Sequence, residues 1–191
     1  MKKPLCFIDI ETTGLNSAIH EIIEIAIIKI CPKEGTSTYT TKIQPENIQH
    51  ASPEALEING YSQKEWEHAP AAQSVVHYIS DILAGSMLVG HNVRFDEEFI
   101  AELLHLYGAK KRYSRRMIDT ITLAHEQLPR LHSLSMDSIR DYFFWDKSRA
   151  HTAYVDAMDC MRLYYKLLRA NSFKRTYWRM RNRVLSLLWR R

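Results

Sequence analysis

An α/β domain with a mixed sheet is expected from three features of this 191-residue sequence. Short β-branched runs crowd the beginning of the chain. Segments of helical spacing dominate the remainder. One more short apolar strand stands among those helical segments. Hydrophobic residues make up 46% and charged residues 25%, which suits one globular domain with or without an appendage.

Leu5 to Ile10 (LCFIDI) reads as a short buried strand, broken by the turn residues Gly14 and Asn16. Glu21 to Ile30 (EIIEIAIIKI) is apolar on both alternating faces, as a central strand is, and its Glu24 needs a buried partner. Thr36 to Ile43 is rich in β formers. These three runs with short links predict an antiparallel meander. Ser52-Pro53-Glu54 offers a serine cap and then proline at the first helical position, so a short helix starts there and stops by Gly60. Helical spacing resumes over Ala71 to Leu83, and then the strand Met87 to Val89 runs into Gly90-His91-Asn92. Helices are expected over Phe95 to Tyr107, Ile118 to Gln127, Ser135 to Tyr142 and Thr152 to Leu168.

Composition excludes several classes. Pro4, Asp9 and Glu11 cut the opening apolar run too early for a secretion signal, and no apolar stretch reaches membrane-span length. A soluble cytoplasmic protein is expected. Cys6, Cys31 and Cys160 form no C-x-x-C pair, which argues against a disulfide framework or a zinc site.

Asp9 and Glu11 are two apart on the first strand, so both side chains leave the same face. Two acids on an otherwise apolar strand repel each other and resist burial unless a cation sits between them. Hard oxygen ligands of this kind suit Mg²⁺ or Mn²⁺. Thr12, Thr13 and Gly14 come next as a turn whose backbone can approach a ligand closely. Asp96 lies at the mouth of a helix beside Asn92 and Phe95; it fits either a metal ligand or an acid that complements the helix dipole, the role Glu97 and Glu98 are expected to play. His151 and Asp156 would stand about 140° apart on one helix. They reach a common site only if His151 lies on the loop before the helix.

The strings D-x-E-T-T-G-L and H-x-x-x-x-D, with GHNVRFDEEFI between them, are similar to the DEDDh branch of the DnaQ-like exonucleases. The resemblance runs from about Pro4 to Leu168. It implies the ribonuclease H-like α/β fold, a mixed five-stranded sheet flanked by helices, with a fifth strand near Arg112 to Met117. It further implies that Asp9, Glu11, Asp96 and Asp156 bind two Mg²⁺ (or Mn²⁺) ions and that His151 is the general base. Thr12, Gly14, Leu15, Asn92 and Phe95 resemble positions around the terminal nucleotide. Ile58 and Asn59 align with a segment that packs on the last bases, although Asn59 replaces the usual histidine. His20 stands where an acid is common and reads as a surface change. Asp119-Thr120 reads as a structural cap or turn.

The implied activity is 3′→5′ hydrolysis at single-stranded DNA ends, releasing nucleoside 5′-monophosphates in proofreading or repair. Two alternatives stay open: an RNA 3′ exonuclease or oligoribonuclease, and a non-catalytic nucleic-acid-binding polymerase accessory subunit. The exonuclease domain would cover residues 1–170. Residues 171–191 form a basic amphipathic tail with seven bases and no acid, leaving 19 bases against 22 acids in the remainder. The tail reads as a docked helix, a nucleic-acid clamp, or an attachment to a membrane surface or to a partner such as a polymerase subunit or sliding clamp.

Overall fold

The computed structural model describes residues 3–128, 131–148 and 150–169. The expected tail, 171–191, lies outside them. The meander forms as expected: β1 (Leu5–Thr12), β2 (Ile22–Cys31) and β3 (Gly35–Lys42) pair antiparallel. A 3₁₀ turn (Ile48–His50) and two short helices, α1 (Pro53–Ile58) and α2 (Gln63–Trp66), come after it. Then come α3 (Ala72–Leu83), β4 (Met87–Gly90), α4 (Val93–Leu106), β5 (Ile118–Asp119), α5 (Thr120–Gln127) and α6 (Met136–Phe143). Residues 153–169 form the last helix, α7.

The sheet has five strands in the order β3-β2-β1-β4-β5. β4 pairs parallel to β1, and β5 parallel to β4, so the sheet is mixed. Alternation along β1 sorts the core. Cys6, Ile8 and Ile10 join β2 residues Ile25 and Ile27 against α3 and α4, through Val76, Ile79, Leu83, Phe99 and Ile100. Phe7, Ala26, Ile28 and Val89 face the other way, against Ala153, Ala157 and Cys160 of α7. Helices thus cover both faces. That is why β2 is apolar on both sides, each fully buried Ile contributing roughly 1.5–3 kcal/mol.

The fifth strand departs from expectation. It is the two-residue β5 at Ile118–Asp119 rather than a strand over 112–117. The earlier segment is held without strand pairing: Gly85 N–H donates to the Arg112 carbonyl, Ser114 N–H donates to the Ser86 carbonyl, and Tyr113 is buried in the core. The chain comes alongside β4 only at Ile118, opposite Val89. The helix expected from Ile118 correspondingly begins at Thr120, because Asp119 becomes its cap and accepts from Ile121 N–H. Ser52 caps α1 as anticipated, accepting from Ala55 N–H.

Candidate active site

β4 ends at Gly90, while β1 runs on to Thr12. The last residues of β1 therefore project past their parallel neighbour, at the carboxyl ends of the strands where α/β sheets open a crevice. Asp96, in the first turn of α4, fills the vacated pairing position: its carboxylate accepts the Ile10 backbone N–H as well as its own. Gly90 lets α4 begin this close. A Cβ there would lie 2.9 Å from Val93 Cα.

Asp9 and Glu11 share a face of β1 with Phe7, and that face looks toward α7. Asp156, one turn into α7, comes down onto them. One carboxylate oxygen from each of Asp9, Glu11 and Asp156 lies within 4.8 Å of the others. Asp96 is buried beside Asp9 and outside this trio. His151 occupies the loop ahead of α7, where a shared site requires it, in a left-handed conformation with φ of 62°. Its imidazole is half-exposed, with Nε2 3.7 Å from Asp137 Oδ2.

These acids are electrostatically frustrated. Burial pushes the Asp9 carboxyl well above the usual carboxylate range, and the charges of Asp96, Asp156 and Glu11 push the same way. Burial, then Asp156 and Glu24, raise Glu11 to about 8. Burial also raises Asp96 well up, against its two backbone hydrogen bonds. Glu24, opposite Glu11 across β1 and β2, finds the partners its sequence position demanded in Lys42 of β3 and the Ala153 N–H at the start of α7. A pocket of hard oxygen donors whose own repulsion resists ionisation fits divalent cations, which would remove that repulsion.

A cleft of about 260 Å³ adjoins the acids. Glu11, Thr12, Leu15, Ile58, Asn59 and Phe95 contribute to its wall, while Gly14 and Asn92 do not. Leu15 and Ile58 are exposed, at 85% and 62%. Asn59 is braced rather than free: its Nδ2 donates to the Thr12 carbonyl at 3.0 Å and its Oδ1 accepts from Tyr61 N–H at 3.1 Å. It ties α1 to the end of β1. Thr12 is similarly engaged, its hydroxyl donating to the Gly14 carbonyl at 2.7 Å. Gly14 has a packing reason to be glycine, since a Cβ would meet the His20 ring at 2.5 Å. His20 is therefore a packed residue rather than a bare surface change. Asn92 holds a left-handed turn (φ 71°), and its N–H donates to Asp119 Oδ1, so Asp119 serves two backbone groups in the structural role expected of it.

Sequence reasoning missed Arg140, Asp137 and Asp159. Arg140 is fully buried on α6 and bonds Asp137, Asp156 and Asp159. Burial opposes its charge, but the three carboxylates outweigh that and hold it protonated. The only signal was a base at an apolar-spaced position of a short helix.

Comparisons with known proteins agree with this architecture. The profile of the RNase T exonuclease family matches residues 6–164. The chain is 34% identical over 153 residues to the PolC-type DNA polymerase III of Thermotoga maritima, covering 78% of this chain and 11% of that protein. It is 30% identical over 162 residues to the DNA polymerase III subunit epsilon of Treponema pallidum, covering 84% of this chain and 74% of that one. Among solved structures, E. coli exonuclease I in complex with a dA16 oligonucleotide superposes with a TM-score of 0.73 at 16% identity, over 88% of this chain and 41% of that chain. The chain thus spans about a tenth of the PolC-type proteins it matches. The five-stranded mixed sheet flanked by helices is the ribonuclease H-like fold of these neighbours.

Proposed function

The chain belongs to the RNase T exonuclease family, and on that premise we propose that it is a 3′→5′ exonuclease of the DEDDh type acting on single-stranded DNA ends. The observation that carries the proposal is the trio of Asp9, Glu11 and Asp156, within 4.8 Å of one another beside a narrow cleft. Support for DNA comes from relatives named as DNA polymerase III proteins and from exonuclease I solved with an oligonucleotide.

Asp9, Glu11 and Asp156, with Asp96 behind Asp9, would hold a pair of divalent cations, Mg²⁺ or Mn²⁺. Such ions neutralise the phosphate and stabilise both the attacking and departing oxygens of an in-line displacement. The chain's own residues do the rest. His151 sits half-exposed on the loop ahead of α7, and its imidazole would take the proton from the attacking water as general base. Leu15, Ile58 and Phe95 would offer apolar surface to the terminal base, in a cleft of about 260 Å³ that falls just below the roughly 300–1,000 Å³ typical of small-molecule sites.

The test incubates labelled single-stranded DNA and RNA of equal sequence with Mg²⁺ or Mn²⁺, with and without chelator. Stepwise, metal-dependent loss of nucleotides from the DNA 3′ end is expected. Asp9→Ala should abolish it. His151→Ala should fold and bind metal but lose roughly 10²–10⁴-fold in rate. Preference for the RNA would transfer the activity to RNA trimming, and degradation of neither would leave a binding module.

A further inference from the structure

Arg140 has no solvent exposure, beneath the start of α7. Its Nε donates to Asp159 Oδ2 at 2.8 Å, its Nη1 to Asp137 Oδ1 at 3.0 Å, and its Nη2 to Asp156 Oδ1. Asp137 turns its other oxygen toward His151, 3.7 Å from Nε2. One guanidinium thus bonds the acid that α7 contributes to the trio, and it also bonds the carboxylate whose other oxygen stands 3.7 Å from the imidazole on the preceding loop.

Stability alone gives no reason for this arrangement. Burying a guanidinium is costly before any pairing, and well-packed apolar side chains would often fill the same space at no loss of stability. Three carboxylates also converge on this one base, Asp156 and Asp159 nearly buried and Asp137 half-exposed, more partners than neutralising its charge requires. Orientation supplies the reason. Asp156 belongs to a helix and His151 to a left-handed loop, so the regular structure of neither fixes their mutual geometry. A planar guanidinium directs its N–H groups along fixed lines. It commits one oxygen of Asp156 and so fixes which way the other is turned.

We propose that Arg140 is the positioning residue of this site, holding Asp156 in the orientation that receives a divalent cation and, through Asp137, restraining the His151 imidazole beside it. The kinetic consequence rests on the nuclease function proposed for the chain; the metal-binding consequence rests on the trio alone.

The full chain is stripped of metal and titrated calorimetrically with Mn²⁺, and single-strand digestion is measured at saturating Mn²⁺. Arg140→Lys keeps the charge but not the three directed bonds. Its Mn²⁺ affinity and kcat should each fall roughly ten- to a hundredfold, with KM for DNA little changed. Should that variant not fold, the double substitution Arg140→Met with Asp159→Leu exchanges the buried pair for apolar side chains and should show the same loss of Mn²⁺ affinity. Asp137→Asn, at a half-exposed position, should keep Mn²⁺ affinity while kcat falls about tenfold, and Asp137→Glu should recover part of it. Native Mn²⁺ affinity in a folded Arg140 variant overturns the proposal, as does native kcat in Asp137→Asn for the histidine arm. If the unaltered chain digests nothing while Mn²⁺ affinity still falls in the Arg140 variants, the nuclease reading fails and the positioning role stands.

Discussion

Glu11 carries the site's electrostatic tension in its most testable form. A carboxyl raised in the folded protein from 4.5 to about 8 favours folding while it is neutral. That contribution is present in full below pH 4.5 and is lost as pH rises through about 8. Asp9 and Asp96, both raised by burial first, act in the same direction. Glu54, Glu65 and Asp146 are lowered by hydrogen bonds and run the opposite way, but all three are exposed to solvent; His91, lowered by burial first, also runs the opposite way, one group against the three raised acids. The metal-free protein should therefore melt at a lower temperature at pH 8 than at pH 5. Added Mn²⁺ should raise the melting temperature more at pH 8, where the ligands give up their protons readily. Glu11→Gln should flatten the metal-free pH dependence. Thermal unfolding in chelator at the two pH values checks this, and a wild-type slope in the variant would remove Glu11 as its source.

Elements decide how close the acids come. α4 can start directly after β4 only because Gly90 has no side chain to strike Val93. Gly90→Ala should push the first turn of α4 away from β1 and carry Asp96 off the Ile10 N–H. We expect about 1–3 kcal/mol of destabilisation, read by urea unfolding, with Mn²⁺ binding weakened in whatever remains folded. Unchanged stability would show that the helix start has slack. The same elements separate what could be read in the sequence from what could not. β1, β2, α3, α4 and α7 were legible because burial imposes a period, and Asp9 and Glu11 because they break it, whereas His151 stood out only through the family resemblance. β5 was not, since two residues form no pattern and only the presence of β4 makes them a strand. α2 was missed for the same reason. Arg140 escaped because its meaning lies in three carboxylates, two of them on another helix, that no local spacing links to it.

At the scale of the whole molecule, charge is the organising quantity. Acids outnumber bases by three through residue 170, and the seven bases of 171–191 reverse the balance to +4. If the acidic body admits a polyanion as proposed, it would gain from a basic segment that recruits the strand. Arg175, Arg179 and Arg183 recur every fourth position, with Tyr177, Trp178 and Trp189 interleaved, which is the composition of a single-strand platform. Each phosphate contact on single-stranded DNA releases counterions and adds roughly 0.7 to the slope of log affinity against log salt. Deleting 171–191 should therefore lower that slope by about 0.7 for every base that meets a phosphate. The measurement is fluorescence anisotropy with a single-stranded oligonucleotide in chelator, so that binding is read without digestion, across a range of salt. The truncated chain should also keep its Mn²⁺ affinity, because every acid of the site lies upstream. A slope identical to that of the full chain would assign the tail to contacts with protein rather than with the strand.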